Sequence, residues 1–437
     1  LDYSREFVIY DSSDQLSLIK QCMKSINIEA EAFPPKTLLN HISSFKNDFI
    51  FPADIDSDNL PFGAKMKAAE VYPLYQHSLK ISNALDFDDL LIMTVRLLKE
   101  SESVLERYSN QFQQILVDEF QDTNATQYKL VCLLASKHSN VCAVGDDDQS
   151  IYRWRGANIE NILNFEKDFP NTCVIKLEEN YRSTQVILKA AAGVVSENRN
   201  RKEKTLWTQN EEGAPIIYYR AEDENDEARS VCEFIVRHNQ EEGVLFNNMA
   251  VLYRTNAQSR AMEEALRGSD IPYRLIGGFR FYERKEIKDI LAFVRVIINP
   301  ADSVSLRRII NVPTRGIGKT SLAKVEKFSE EKNIILMEGL RQVSHSRVVA
   351  SGAKNKIISF LEIMDGLRSF YENAALVDFF QEVVERTGYA AMLKNEDTRE
   401  SRDRMDTLNE LYTAIQQSEE KGESLQQFLD TTALISD

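Results

Sequence analysis

Three short apolar runs, each followed by a polar turn, set the tightest limit on what this chain can become. They are QILVDE (114–119), NVCAVGD (140–146) and CVIKL (173–177). Between them lie TQYKLVCLLASKH (126–138), where Tyr128, Val131, Cys132 and Ala135 share a helical face, and NIENILNFEKDF (158–169), with Asn158 as its predicted cap. Short apolar strands alternating with helices imply a parallel sheet, so the predicted class is α/β. Ligands of such sheets bind beyond the carboxyl ends of the strands. The polar residues after each run are therefore the candidates for chemistry.

The flanking sequence reads differently. Within residues 11–83, DSSDQLSLIKQCMKSI predicts a helix started by Asp11 or Ser12, with Leu16, Ile19, Met23 and Ile26 as its stripe. FPPKTLLNHISSFKN predicts a second helix behind its prolines. A further alternation runs over about 186–290, with PIIYYR, NMAVLYR and PYRLIGG as strands and DENDEARSVCEFIVRH and AQSRAMEEALRG as helices. From 291 onward helical patterns dominate. No apolar run approaches the roughly 18 residues of a membrane span. Five cysteines show no CxxC pairing, and Cys132, Cys142 and Cys173 lie in apolar runs that predict buried free thiols. That usage points to a reducing compartment. A net charge of −15 speaks against nucleic acid unless positive charge is concentrated locally.

The most informative turn is DEFQD (118–122). Adjacent carboxylates at a strand end suit a Mg²⁺–nucleotide site, one holding the metal and the other orienting or deprotonating a water; a solvated acidic turn is the plain alternative. GDDDQSIYRWRGA (145–157) places Gln149 after an acidic turn and then alternates Tyr152, Arg153, Trp154 and Arg155, a pattern suited to stacking bases and holding single-strand phosphates. In LEENYRST (177–184), Arg182 lies just past a predicted strand, where it could reach a γ-phosphate or pair with Glu178 or Glu179.

In this order and spacing, DEFQD, GDDDQSIYRWRGA and LEENYRS resemble motifs of the UvrD/PcrA/Rep-type superfamily 1A DNA helicases. The resemblance continues through LDFDDLL (85–91), RKEKTLWT (201–208), AVLYRTNAQSR (250–260), PYRLIGGFRFYERKEIKDILAF (272–293) and NVPTRGIGKTSL (311–322). It implies ATP and Mg²⁺ as cofactors, with Asp118 holding the metal, Glu119 as catalytic base and Gln149 as γ-phosphate sensor. Tyr181 would stack on adenine and Arg182 would touch the γ-phosphate. Tyr152 and Trp154 would stack on bases, beside Arg153 and Arg155, and Arg254 and Asn256 would follow the strand's backbone. The implied fold is two RecA-like parallel-sheet motor domains with mainly helical insertions: 1–10 and 84–180 in the first motor domain, 11–83 its insertion, 181–290 in the second motor domain and 291–437 its insertion. The implied activity is 3′–5′ unwinding of DNA in repair or replication, on single strands and single/double-strand junctions and with no membrane role. A nuclease-fused relative of the AddA/RecB type fits the spacing less well. A DNA-binding or regulatory module without ATPase is the alternative. Residence would be cytoplasmic and nucleoid-associated in a bacterium, nuclear or organellar in a eukaryote.

GIGKTS (316–321) imitates the end of a phosphate loop, but the leading glycine of that pattern is Pro313 here. The resemblance instead makes Gly316–Ile317–Gly318 a turn that grips duplex backbone. Arg315 and Lys319 are then its expected mobile charges, within a patch of Arg307, Arg308, Arg315, Lys319 and Lys324 against Asp302 alone over 301–325. The family's phosphate loop and last two motifs have no counterpart within these residues. Residues 1–437 alone are therefore expected to show no DNA-stimulated ATPase; robust DNA-dependent turnover by that polypeptide would contradict the reading.

Overall fold

The computed structural model describes residues 1–436 apart from 57–59, 154–155, 199–203, 256–257 and 277–280. The chain divides into two units, Leu1–Thr172 with Phe281–Asp437, and Cys173–Arg280. In the first, strand β1 (Val8–Ile9) pairs in parallel with β2 (Ala84–Leu85), Val8 opposite Ala84. The chain between them forms helices α1 (Ser12–Ser25), α2 (Pro35–Asn47) and α3 (Ala64–Ile81). Asp11 starts α1 by accepting hydrogen bonds from the Ser13 and Asp14 N–H groups, and Pro35 sits in the first turn of α2. The buried face of α1 is Leu18, Ile19, Cys22 and Met23, while Leu16 and Ile26 are half-buried. The predicted stripe is therefore displaced, because α1 packs against both α2 and α3 and needs a broader face.

Next come α4 (Phe87–Glu100), α5 (Glu102–Gln111), β3 (Ile115–Val117), α6 (Ala125–Leu134), β4 (Val141–Ala143), α7 (Glu160–Leu163) and α8 (Phe165–Asp168). The two strands form a parallel pair, Leu116 opposite Cys142, as expected of an α/β sheet. Leu116 is 78% exposed and Cys142 is exposed beside it, so this face of the pair is uncovered. That overturns the predicted burial of Cys142; Cys173 is also exposed and Cys132 half-buried, and the buried thiols are Cys22 and Cys232. The predicted helix over 158–169 is broken into α7 and α8 at Asn164. Asn158 does not occupy the cap position, although its Oδ1 accepts from Glu160 N–H.

The second unit holds α9 (Gln185–Val195), α10 (Glu224–Glu242) and α11 (Ser259–Gly268). Asp223 caps α10, and Cys232, Leu266 and Ile271 form a small core between α10 and α11. Helices α10 and α11 agree with their sequence patterns, and α9 was not foreseen; the strands do not agree. Among the described residues, CVIKL, PIIYYR, NMAVLYR and PYRLIGG form no ladder, and the only bridge is Glu179 with Trp207. Ile175, Leu177, Ile216, Ile217, Leu252 and Ile276 are exposed. A parallel strand depends on hydrogen-bonded neighbours and covered faces, and apolar composition alone supplies neither.

The remaining helices are α12 (Lys285–Ile298), α13 (Ser303–Ile309), α14 (Lys319–Lys332), α15 (Leu336–Ser344), α16 (Ser351–Tyr371), α17 (Leu376–Arg386), α18 (Tyr389–Glu396), α19 (Arg399–Glu420) and α20 (Leu425–Ser436). Helix α12 is buried nearly all round, through Ile287, Ile290, Leu291, Phe293, Val294, Val296 and Ile297 and also Glu286, Asp289 and Arg295, as befits a central helix. Polar ties join it and α13 to the beginning of the chain: Arg295 to Asp14 at 2.8 Å, Lys288 to Asp11 at 3.0 Å, and Tyr10 Oη donating to Asp302 Oδ1 at 2.7 Å. Among the described residues no helix is long and apolar enough to cross a membrane.

One buried cation joins the α1–α3 helices to α4. Lys46 Nζ, 1% exposed, lies 2.6 Å from Asp86 Oδ2 and 2.8 Å from Asp89 Oδ1, and Tyr75 Oη donates to Asp86 Oδ2 at 2.9 Å. Burial, and then the neighbouring Asp86, push the Asp89 carboxyl up to about 6. Lys46→Met should cost about 3–5 kcal/mol, since it leaves two buried carboxylates without a counter-ion. A carboxyl whose folded pKa exceeds its unfolded value binds its proton more tightly when folded. Lys46 itself lowers that carboxyl's pKa, so without it Asp89 protonates at higher pH, and the deficit, measured by denaturant unfolding, should shrink as pH falls towards about 6. A loss under about 1 kcal/mol, or one that does not change with pH, would contradict this account.

Candidate nucleotide site and nucleic-acid interface

Strand β3 runs into Asp118 and Glu119, both exposed at its carboxyl end. Glu119 adopts a left-handed conformation (φ 47°, ψ 43°) that turns the chain into a short 3₁₀ helix, Phe120–Asp122. A non-glycine residue pays for that backbone region, which is why it tends to mark functional turns. The two strand ends stay in register beyond their ladder: Val144 N–H donates to Val117 O at 2.8 Å and Phe120 N–H to Val144 O at 2.9 Å.

Gln121 then links the two turns. Its side chain is fully buried. Its Nε2 donates to Glu119 Oε2 at 2.7 Å, and its Oε1 accepts from Asp146 N–H at 2.9 Å. The space it occupies exists because residue 145 is glycine; a Cβ there would stand 2.6 Å from Gln121 Oε1 and 3.2 Å from Phe120 N. Asp146 in turn accepts from Asp148 N–H at 3.0 Å and, at 2.8 Å, from Gln149 Nε2. Asp118, Glu119 and Gln149 therefore share one hydrogen-bonded assembly, with Asp118 Oδ1 accepting from Glu119 N–H at 2.9 Å. The ligand oxygens of Asp146, Asp147 and Asp148 lie within 4.8 Å of one another.

After this assembly the chain closes a turn in which Gly156 N–H donates to Arg153 O and Ala157 N–H to Tyr152 O. Tyr152 and Arg153 are exposed, while Trp154 and Arg155 lie outside the described residues. In the second unit Tyr181 is 79% exposed, and its hydroxyl donates to Glu179 Oε2 at 2.7 Å, which raises its pKa. Asn180 Oδ1 accepts from the Arg182 and Ser183 N–H groups, so the Arg182 side chain leaves the turn into solvent. Glu178 accepts from Thr205 N–H. Arg254 is exposed and its N–H donates to Gln258 Oε1 at 3.0 Å; Asn256 lies outside the described residues.

The Gly316–Gly318 turn departs most from expectation. Arg315 is not a mobile charge. Its guanidinium donates to the carbonyls of Ile309, Val312, Pro313 and Thr387 and lies 5.6 and 5.5 Å from the centres of the Phe293 and Phe360 rings. Burial lowers its pKa to about 10. Arg307 pairs with Glu326, and Arg308 with Asp289 at 2.8 Å. Of the five basic residues in the predicted patch, three are thus spent on internal partners, and Lys319 and Lys324 remain exposed. Gly316 has φ +74°, and Gly318 caps α14 with open space at its Cα. The turn is held by Asn311, whose Oδ1 accepts from Arg315 and Ile317 N–H, with Ile317 buried beneath.

Gln121 escaped the sequence reading as a site residue. Its signal was present in the pairing of a glutamine after one strand with a glycine after the next, but reading it requires knowing that the strands are neighbours.

A parallel strand pair carrying one linked acidic assembly at its carboxyl end, built into an array of helices, makes this an α/β protein. Residues 1–170 match the UvrD/REP helicase N-terminal domain, and residues 175–437 match the UvrD-like helicase C-terminal domain. The chain belongs to the UvrD/REP helicase family. It is similar to the ATP-dependent DNA helicase PcrA of Staphylococcus aureus, 44% identical over 437 residues, covering 99% of this chain and 60% of the relative. PcrA of Staphylococcus epidermidis is 45% identical over the same shares. The chain thus spans about 60% of the length of the curated relatives it matches.

Proposed function

We propose that the complete protein is an ATP-dependent DNA helicase that translocates 3′ to 5′ on single-stranded DNA and unwinds duplex in repair or replication. The observation that carries this reading is the Gln121 link, which ties the carboxylate expected to act in hydrolysis, Glu119, to the turn that leads through Gln149 into Tyr152 and Arg153. A nucleotide-state change at one strand end thereby has a short mechanical route to a DNA-facing segment. Two RecA-like motor domains, with helical insertions at 11–83 and 291–437, are the architecture this reading assigns.

The donor set fits ATP with Mg²⁺: exposed carboxylate oxygens at a strand's carboxyl end are the hard ligands a small divalent cation takes. Bound Mg²⁺–ATP supplies the phosphoanhydride bond to be broken and the neutralisation of its charge. Asp118 keeps Oδ2 for the cation's shell, since Oδ1 is engaged by Glu119 N–H. Glu119 holds the proton taken from the attacking water, and Gln121 orients its carboxylate by binding Oε2. Gln149 senses the γ-phosphate, Tyr181 stacks on adenine and Arg182 contacts the γ-phosphate. Tyr152, Arg153, Trp154, Arg155, Arg254 and Asn256 take the single strand. Gly316, Gly318 and Lys319 take duplex phosphates, with Arg315 fixing their turn from within.

Glu119→Gln in the complete protein should lower ATP turnover by about 10²-fold or more, the usual scale for losing a general base, while nucleotide binding is retained. Turnover and binding, measured separately, that fall together would make Glu119 a structural residue or a cation ligand.

A further inference from the structure

The Gly316–Gly318 turn lacks the free arginine that its sequence promises, but a lysine from another helix lies on it. Lys356, on α16 and forty residues away, donates from Nζ to Gly316 O at 3.3 Å. A Cβ on residue 316 would displace that Nζ from its present position, while the φ of +74° is the backbone reason for glycine here. Lys356 is exposed. An ammonium carries three donors, and the Gly316 carbonyl takes one, leaving two for another acceptor. Its surroundings in sequence also favour an anion: residues 345–356 carry Arg347, Lys354 and Lys356 and no carboxylate, in a chain of net charge −15.

We propose that Lys356 is the mobile phosphate-contacting cation of this turn, so that duplex backbone is held by the α14 side through Lys319 and by α16 through Lys356. This rests on the reading of the turn as a duplex grip. Arg315 has a different part: locked among four carbonyls and two rings, it fixes the turn's shape and presents no charge to DNA. The chemical class of ligand is the phosphodiester backbone of a DNA duplex, recognised without reference to base sequence.

The test is the salt dependence of binding to a labelled blunt DNA duplex, measured on the complete protein with thermal unfolding followed in parallel. Each phosphate neutralised contributes about 0.9 to the slope of log K against log salt concentration. Lys356→Gln should lower that slope by about 1 with an unchanged melting temperature, Lys356→Arg should keep the slope, and Lys319→Gln should lower it by a similar amount. A slope that falls for Lys319→Gln but not for Lys356→Gln leaves the turn a duplex grip and overturns the role of Lys356. A slope untouched by either substitution overturns the reading of the turn, and this inference with it. A lower melting temperature for Lys356→Gln at constant slope makes Lys356 a structural prop, which also overturns it.

Discussion

One buried amide decides whether the acidic turns of this protein form a site or merely two solvated loops. Gln121 both donates and accepts, so it can join a carboxylate to a backbone N–H without adding charge. A lysine in its place would neutralise Glu119, and a carboxylate would repel it. Because the amide is inaccessible to water, either end of it left unpaired would carry a desolvation cost of about 1–3 kcal/mol, whereas the exposed Glu119 carboxylate would be solvated. The arrangement also dictates Gly145, whose missing Cβ makes the room. DEFQD and GDDDQ are thus one device assembled across two parallel strands.

Positive charge follows a similar economy. Lys46 and Arg295 are withdrawn into the interior and Arg315 is half-buried, and all three hold helices together through carboxylates or carbonyls. Their number in the sequence therefore overstates the positive charge left at the surface. In the helical array after residue 300, the exposed cations at the Gly316–Gly318 turn are lysines. Lysine suits that place: a hydrated point charge on a flexible stem adapts to a backbone whose sequence is irrelevant, whereas the planar arginine fork suits a fixed set of carbonyls.

The helices were readable because their signals are local. Asp11, Pro35 and Asp223 mark starts that the structure reproduces within a residue or so. Strands β3 and β4 were readable as well, since an apolar run ending in acidic residues has few other meanings. The runs of the second unit share that composition without forming ladders, because pairing is a property of two segments and composition a property of one. The errors at Cys142 and Arg315 have the same origin: an apolar neighbourhood in sequence did not bring a covered face, and a basic neighbourhood did not bring a free charge. Asp118, Glu119 and Gln149 could be picked out from their turns, whereas Gln121 and Lys356 act through partners 25 and 40 residues away.

The decisive measurement is the ratio of single-strand-stimulated to basal ATP hydrolysis in a Gln121→Ala form of the complete protein, with nucleotide affinity determined alongside. If the buried amide couples hydrolysis to the DNA-facing turn, the ratio falls while nucleotide affinity holds. A ratio equal to that of the unaltered protein would contradict the account, because the two strand ends would then communicate without the bond that joins them.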